Sequence, residues 1–332
     1  MQTPAPLRRR LLTAAMLSAV PAGQVLGEST YPNRPITLIV PFAPGGIADL
    51  TARVMAEAMG RELRQAIVVD NRPSAGNIVG SAAVAQARAD GYTLLLMSNG
   101  NAVSASLFRK LPFDVSRDFA PVSTLGFFDL VVITSGASRY ASLADVLADA
   151  RKRPGKLTIG TIAPGSTQNL AAELFKSSAA IDALIVPYKG SPAVLNALRA
   201  GEIDVAFEIL GPMLGQIKAG AARALAVTSR ERFAGLEQVP TVREAAASGD
   251  SLGNYVVASW NAIAAPAGTP AHVIDRLAVA TRAAIEAPAT RARLESLGVR
   301  PQAGSPAELR GLLASEVNRW RAVILAAHIP PQ

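Results

Sequence analysis

Ile36-Thr-Leu-Ile-Val40, Pro41-Phe-Ala-Pro-Gly-Gly46 and Ile47-Ala-Asp-Leu-Thr51 follow one another without a break. The first is a β-branched run that reads as a strand, the second a Pro/Gly turn, and the third the start of a helix that Leu50, Val54 and Ala58 continue at i, i+4 spacing. Gly45 and Gly46 can take positive φ and let a ligand approach the backbone, while Asp49 is placed to cap the helix. A strand that feeds a helix through such a turn aims backbone N–H groups at an anion. The same residues also make an ordinary strand-to-helix turn, so the rest of the chain has to separate the two.

Outward from that stretch, short apolar runs alternate with helical ones. The runs Ala66 to Asp70, Tyr92 to Met97, Leu130 to Thr134, Leu157 to Thr161, Leu184 to Pro187, Ile203 to Phe207 and Ala224 to Thr228 read as strands. Helical patterns lie at Ala82 to Arg88, Leu143 to Arg151, Asn169 to Ser178 and Ala193 to Ala200, and Pro306 to Ile329 sets Leu309, Leu313, Val317, Trp320 and Ile324 on one stripe. This alternation predicts parallel α/β sheets with helices on both faces and ligand sites at strand carboxyl ends. No Pro/Gly/Ser-rich linker divides the chain. Crossings near Gly126 to Leu130 and Asn254 to Ala264 instead predict a clamp, 28–128 with 256–332 as one lobe and 129–255 as the other, on a hinge of two strands.

The N-terminus reads separately. Arg8-Arg9-Arg10 precede a short apolar core, Leu11 to Val20, and small residues up to Gly27, the pattern of a secretory signal over 1–27. Arg9-Arg10 before Leu11-Leu12 partly resembles a twin-arginine signal, but Leu7 stands where Ser or Thr is usual, so the general secretory and twin-arginine routes both stay open. The chain has no cysteine, which excludes disulfides, thiol chemistry, cysteine-ligated zinc and a lipidated N-terminal cysteine. Its net charge of +8 includes the three signal arginines, and losing them leaves +5. Scattered basic residues with few aromatics exclude a nucleic-acid platform, whereas a mildly positive surface suits an anionic solute. The expected product is a soluble, monomeric, periplasmic protein without metal or cofactor.

Tyr31-Pro-Asn-Arg-Pro-Ile-Thr-Leu-Ile-Val-Pro-Phe-Ala-Pro-Gly-Gly46, Val69-Asp-Asn-Arg-Pro73, Asp90-Gly-Tyr-Thr-Leu94, Leu111-Pro-Phe-Asp114, Asp118-Phe-Ala-Pro121, Val186-Pro-Tyr-Lys-Gly190, Arg223-Ala-Leu-Ala-Val-Thr228, Val239-Pro-Thr-Val242 and Ala265-Pro-Ala-Gly-Thr-Pro270 occur in order along the mature chain. Together they resemble the Bug family, extracytoplasmic solute receptors of tripartite tricarboxylate transporters. The resemblance implies an α/β, two-lobed periplasmic binding protein of type II, a Venus flytrap. Such a protein captures a small carboxylic acid and hands it to integral membrane transporter subunits. It also implies that one ligand carboxylate is held by Phe42, Gly45, Gly46, Ile47, Ala48 and Asp49 together with Gly165, Ser166, Thr167 and Gln168 from the opposite lobe.

The residues support the second loop independently, since Gly165 frees a turn and the Ser166 and Thr167 hydroxyls can donate to a carboxylate, although either can equally be an N-cap. Ser98, Asn99 and Asn101 after the Tyr92 strand are placed to orient the far end of a ligand, or simply to form a turn. Tyr188 follows another strand, and Phe207-Glu208 ends one that faces the expected cleft. The family commonly has Asp or Asn where Glu208 stands and a hydroxyl residue near Ile47-Ala48. A negative Glu208 repels a second carboxylate and Ile47 is apolar, so a ligand with one well-bound carboxylate and an apolar or aromatic remainder is expected. Two other outputs use the same residues: presentation of the acid to a membrane sensor kinase, and hydrolysis by Ser166. The latter lacks a partner base, because His272 and His328 both lie in C-terminal segments.

Overall fold

In the computed structural model, which describes residues 1–2, 31–246, 251–326 and 329–332, strand β1 (Ile36–Val40) forms where the β-branched run predicts it. The expected signal segment beyond its first two residues, and His328, lie outside the described residues. The fold is that of one unit, Pro32–Gln332. β1 pairs in parallel with β2 (Ile67–Asn71) and β3 (Thr93–Ser98), reached through helices α1 (Ile47–Leu63) and α2 (Ile78–Ala85). Helix α3 (Asn99–Leu107) follows β3 without a loop, because Ser98 and Asn101 form a reciprocal capping box.

A long strand, β4 (Phe119–Ser135), opens a second alternating series of α4 (Leu143–Lys152), β5 (Leu157–Ile162), α5 (Thr167–Ser178), β6 (Ala183–Tyr188), α6 (Ser191–Ala200), β7 (Val205–Ile209), α7 (Leu210–Lys218) and β8 (Ala222–Val227). The chain then passes through α8 (Val242–Ala245), β9 (Ala258–Pro266), α9 (Ala271–Glu286), α10 (Pro288–Ser296), β10 (Val299–Pro301) and α11 (Pro306–Ala326). The strand order is β2-β1-β3-β9-β4-β7-β5-β6, with β8 and β10 also paired to β4.

The sheet is mixed rather than parallel throughout. Parallel triplets β2-β1-β3 and β7-β5-β6 flank β9 and β4, which run antiparallel to each other and to the strands beside them. β4 pairs with β9 from Phe119 to Asp129 and with β7 and β8 from Leu130 onward, so one strand serves both halves. Only Leu130 to Thr134 reads as strand in the sequence, because Pro121 and Gly126 punctuate the earlier part. Register shifts at Pro121/Ser123 and Thr124/Gly126 absorb both residues. At Gly126 a Cβ would lie 2.6 Å from Val299 and 2.7 Å from the Arg300 carbonyl, so glycine is what lets β10 approach.

β7 also begins two residues later than its apolar run. Asp204 turns back to accept from the Thr158 N–H and hydroxyl, which holds Ile203-Asp204 out of the strand. Leu309, Leu313, Val317, Trp320 and Ile324 form the buried stripe of α11, packed on α3 and β4. Among the described residues no helix is long and apolar enough to cross a membrane.

Candidate functional site

Five helices begin around one small cavity of about 50 Å³ between the parallel triplets. Gly46, Ile47 and Ala48 bring the start of α1 to its wall, Ser98 that of α3, Thr167 and Gln168 that of α5, Gly190 and Ser191 that of α6, and Ile209 that of α7. First-turn N–H groups lack intrahelical partners and carry the positive end of each helix dipole. Among the described residues the lining contains no charged side chain. Its polar groups are hydroxyls and amides, which suits a carboxylate that needs neutral donors. The volume takes a carboxylate or a few waters, not a whole polycarboxylic acid.

The first loop owes its shape to Gly45 at φ +85° and to Asp49. Asp49 is not the cap. Gly46 is, in extended conformation, and Asp49 sits in the first turn, reaching back to accept from the Gly45 N–H at 3.0 Å. Asn71 Nδ2 donates to the other Asp49 oxygen at 3.0 Å and to the Phe42 carbonyl at 3.1 Å, tying the turn to β2. Burial pushes the Asp49 carboxyl up, but Arg53, the Gly45 N–H and Asn71 outweigh it and hold it below the usual carboxylate range. Asp49 therefore supports the loop and does not line the cavity.

The second loop turns at Gly165, φ +81°, where a Cβ would come 3.1 Å from Gly76 Cα. Ser166 caps α5 by accepting from the Asn169 N–H at 3.1 Å, while Thr167 faces inward. Asn99 Nδ2 donates to Thr167 Oγ1 at 3.2 Å, and Thr167 Oγ1 lies 2.9 Å from Ser259 Oγ. The indole of Trp320 donates to Asn99 Oδ1 at 2.8 Å, and the Gly76 N–H donates to the Pro164 carbonyl at 3.0 Å. These bonds form a seam between the segments around α3 and the loop that leads into α5.

A second, larger pocket of about 500 Å³ shares Phe42, Ala43, Ile162 and Gly190 with the first. Pro41, Pro73, Pro164, Pro187 and Tyr188 make it mostly apolar, with Ser74, Asn77, Ser166 and Lys189 as polar lining. In a separate cavity of about 600 Å³ beside β8 and α4, both cations among the described lining residues are engaged: Arg223 donates to the carbonyls of Gly136, Ser138 and Tyr140, and Arg232 pairs with Glu244 at 2.9 Å.

The family model described as "Tripartite tricarboxylate transporter family receptor" matches residues 51–329. The chain belongs to this family. Protein BugT of Bordetella pertussis (strain Tohama I) is 38% identical over 306 residues, 90% of this chain and 91% of BugT. The solved periplasmic binding protein BugD is 28% identical with a TM-score of 0.85, over 91% of this chain and all of BugD. An R. palustris protein solved with adipate is 32% identical with a TM-score of 0.85 over the same shares. The α/β architecture is that of these periplasmic binding proteins.

In this family member the residues expected at the site fall into four groups. Phe42, Gly46, Ile47, Ala48, Ser98, Thr167 and Gln168 line the inner cavity, and Phe42, Ser166 and Tyr188 the outer pocket. Gly45, Asp49, Asn99, Asn101 and Gly165 lie behind the wall. Asn101 completes the Ser98 capping box and donates to Ser81 at 2.8 Å. Phe207 and Glu208 are fully buried inside β7, not at a strand end facing the cleft; the Phe207 ring packs against that of Phe175 with centroids 5.4 Å apart and planes tilted by 54°. Glu208 accepts from Ser191 at 2.8 Å, and Ser191 rather than Glu208 faces the cavity.

Sequence reasoning missed Ser259 and Asn261 on β9, and Phe128 on β4, which also line the cavity. Asn261 Nδ2 is buried without a hydrogen-bond partner. The signal was present: two polar residues at i, i+2 in Ser259-Trp-Asn-Ala-Ile-Ala-Ala-Pro266 share one face of an otherwise apolar strand.

Proposed function

We propose that this chain is a periplasmic solute-binding protein that closes on a small carboxylic acid and delivers it to a tripartite tricarboxylate-type membrane transporter. The lobes of the clamp are 28–128 with 256–332 and 129–255, hinged on β4 and β9. The observation that carries this reading is the convergence of five helix starts and the orphaned Asn261 donor on an uncharged cavity. That lining is rich in donors and free of acids, so an anionic head is bound without a counter-charge. Opening exposes the two jaws; the ligand bridges them, and closure presents a composite surface to the transporter.

The ligand has its carboxylate in the inner cavity and its remainder in the outer pocket. Phe42, Tyr188 and the prolines there favour an apolar or aromatic remainder, in keeping with the apolar Ile47. The hydrolase alternative has little support, since the Ser166 hydroxyl accepts from the Asn169 N–H and His272 sits exposed on α9.

Native mass spectrometry of the purified protein, followed by a thermal-shift panel of mono-, di-, tricarboxylic and aromatic acids, tests the reading. An acid at about 100 times its dissociation constant stabilises the fold by about 2.7 kcal/mol. Citrate binding more tightly than monocarboxylic or aromatic acids overturns the ligand class, and a panel with no binder overturns the function.

A further inference from the structure

Glu208 is a buried acid for which the carboxylate clamp has no use. It lies fully buried in β7, opposite Val131 of β4. The Ser191 hydroxyl donates to Oε2 at 2.8 Å, while Oε1 has no partner in good hydrogen-bond geometry, the Gln168 side chain and the Ile209 N–H being near the carboxyl without closing a bond to that oxygen. A buried carboxylate ordinarily holds a cation. Here the charged groups on surrounding elements are placed otherwise. Asp129 on β4 pairs with Arg300 at 3.1 Å, and Asp204 is bonded to Thr158. Arg199 on α6 is bonded to Gln216 of α7, and Lys176 on α5 lies 3.9 Å from Asp182. Glu173 on α5, Lys189 before α6 and Lys218 on α7 make no ion pair with Glu208, and β5 carries no ionisable side chain. Burial pushes the Glu208 carboxyl up to about 7, against the pull of Ser191, Gln168 and the Ile209 N–H.

Ser191, Gln168 and Ile209, the groups around this carboxyl, are all walls of the inner cavity. A carboxylate bound there faces the charge of an ionised Glu208, which carries no ion pair, across the cavity walls Ser191, Gln168 and Ile209, and in a buried interior like charges repel strongly. We propose that Glu208 takes up a proton as the site fills, so that the acid is captured as an anion together with one proton. The inference rests on the carboxylate-binding reading of the cavity. It makes Glu208 a positioning residue for charge, acting on the ligand through Ser191 and Gln168.

The sign follows from linkage. Below about pH 6 Glu208 is neutral in the empty protein and affinity is flat; as pH rises through 7 it ionises, and filling the site requires protonation. Affinity then falls towards the limit of about tenfold per pH unit for one linked proton.

The test uses the tightest binder of a panel containing adipate, malate and benzoate, all fully ionised above pH 6.5. Titration calorimetry at pH 6.5 to 8.5, in buffers of different ionisation enthalpy, counts the protons. In the wild type binding weakens at least about fivefold across that range, with close to one proton taken up at pH 8. In Glu208→Gln, which keeps an acceptor for Ser191, the slope and the uptake vanish. In Ser191→Ala, which retains the acid but removes its donor, the midpoint moves to higher pH. Flat wild-type binding, a slope that survives Glu208→Gln, or an unmoved midpoint in Ser191→Ala overturns the proton linkage and leaves carboxylate capture standing. No binding by any acid at any pH overturns both.

Discussion

Gly46 is the position where a side chain would do most to the cavity and least to the fold. It caps α1 in extended conformation, φ −83°, so no left-handed backbone demands glycine there. A Cβ would meet nothing closer than the Ala43 carbonyl at 3.9 Å. Yet Gly46 lines a space of about 50 Å³ that a leucine side chain would fill. Gly46→Leu is therefore expected to lose ligand binding by at least about a hundredfold while its thermal midpoint stays within a few degrees of wild type. Calorimetry and a melting curve check this, and unchanged binding would remove the first loop from the site. Gly45 differs, because its φ of +85° is needed to turn the loop. At this scale the sequence discloses residue types but not their direction. Thr167 and Ser166 are neighbours of similar chemistry, and only the start of α5 decides that Ser166 caps the helix while Thr167 lines the inner cavity. The same holds for Glu208, whose strand is offset by the Asp204 turn, a long-range contact with Thr158 that no local pattern announces.

Elements with strong periodicity were legible from the sequence, and those shared between distant partners were not. β1 and α11 carry their own signals, a β-branched run and a 3.6-residue apolar stripe. The first ten residues of β4 make sense only beside β9 and β10, which come more than a hundred residues later. α11 also does something its stripe does not reveal. Trp320 is wholly buried, and its indole N–H donates to Asn99 Oδ1 at 2.8 Å and to Glu316 Oε2 at 3.0 Å. Asn99 in turn holds Thr167 through Nδ2, so the C-terminal helix orients a cavity residue through one intermediary. Trp320→Phe keeps most of the apolar bulk but strands Asn99 Oδ1 without a donor. The expected cost is about 1–3 kcal/mol of stability, read by urea unfolding, with a severalfold loss of affinity as Thr167 loosens. If stability falls and affinity does not, Asn99 braces the fold and not the ligand.

Across the whole molecule the two jaws meet by backbone as much as by side chain. The Gly76 N–H donates to the Pro164 carbonyl, Gly165 sits within contact of Gly76, and Gly100 leaves a Cβ only 3.3 Å from the Gly165 carbonyl. Three glycines thus let chain segments from both halves of the sheet lie against each other, the contact that the proposed clamp would make on closing. A side chain at Gly165 is excluded twice, by a φ of +81° and by Gly76 Cα at 3.1 Å. The first penalty is local; the second, on the proposed clamp reading, acts only when the two segments are together. Gly165→Val is accordingly expected to shift the population towards the open form, and a ligand that binds the closed form more tightly must then supply the difference. Small-angle scattering on the variant should give a larger radius of gyration than wild type with or without a saturating acid, whereas wild type with ligand gives the smaller value. Gly165→Ala, with the same backbone strain and less bulk, should lie between the two. If Gly165→Val scatters like liganded wild type, the seam at Gly76, Gly100 and Gly165 is a fixed contact and the motion of the clamp lies elsewhere.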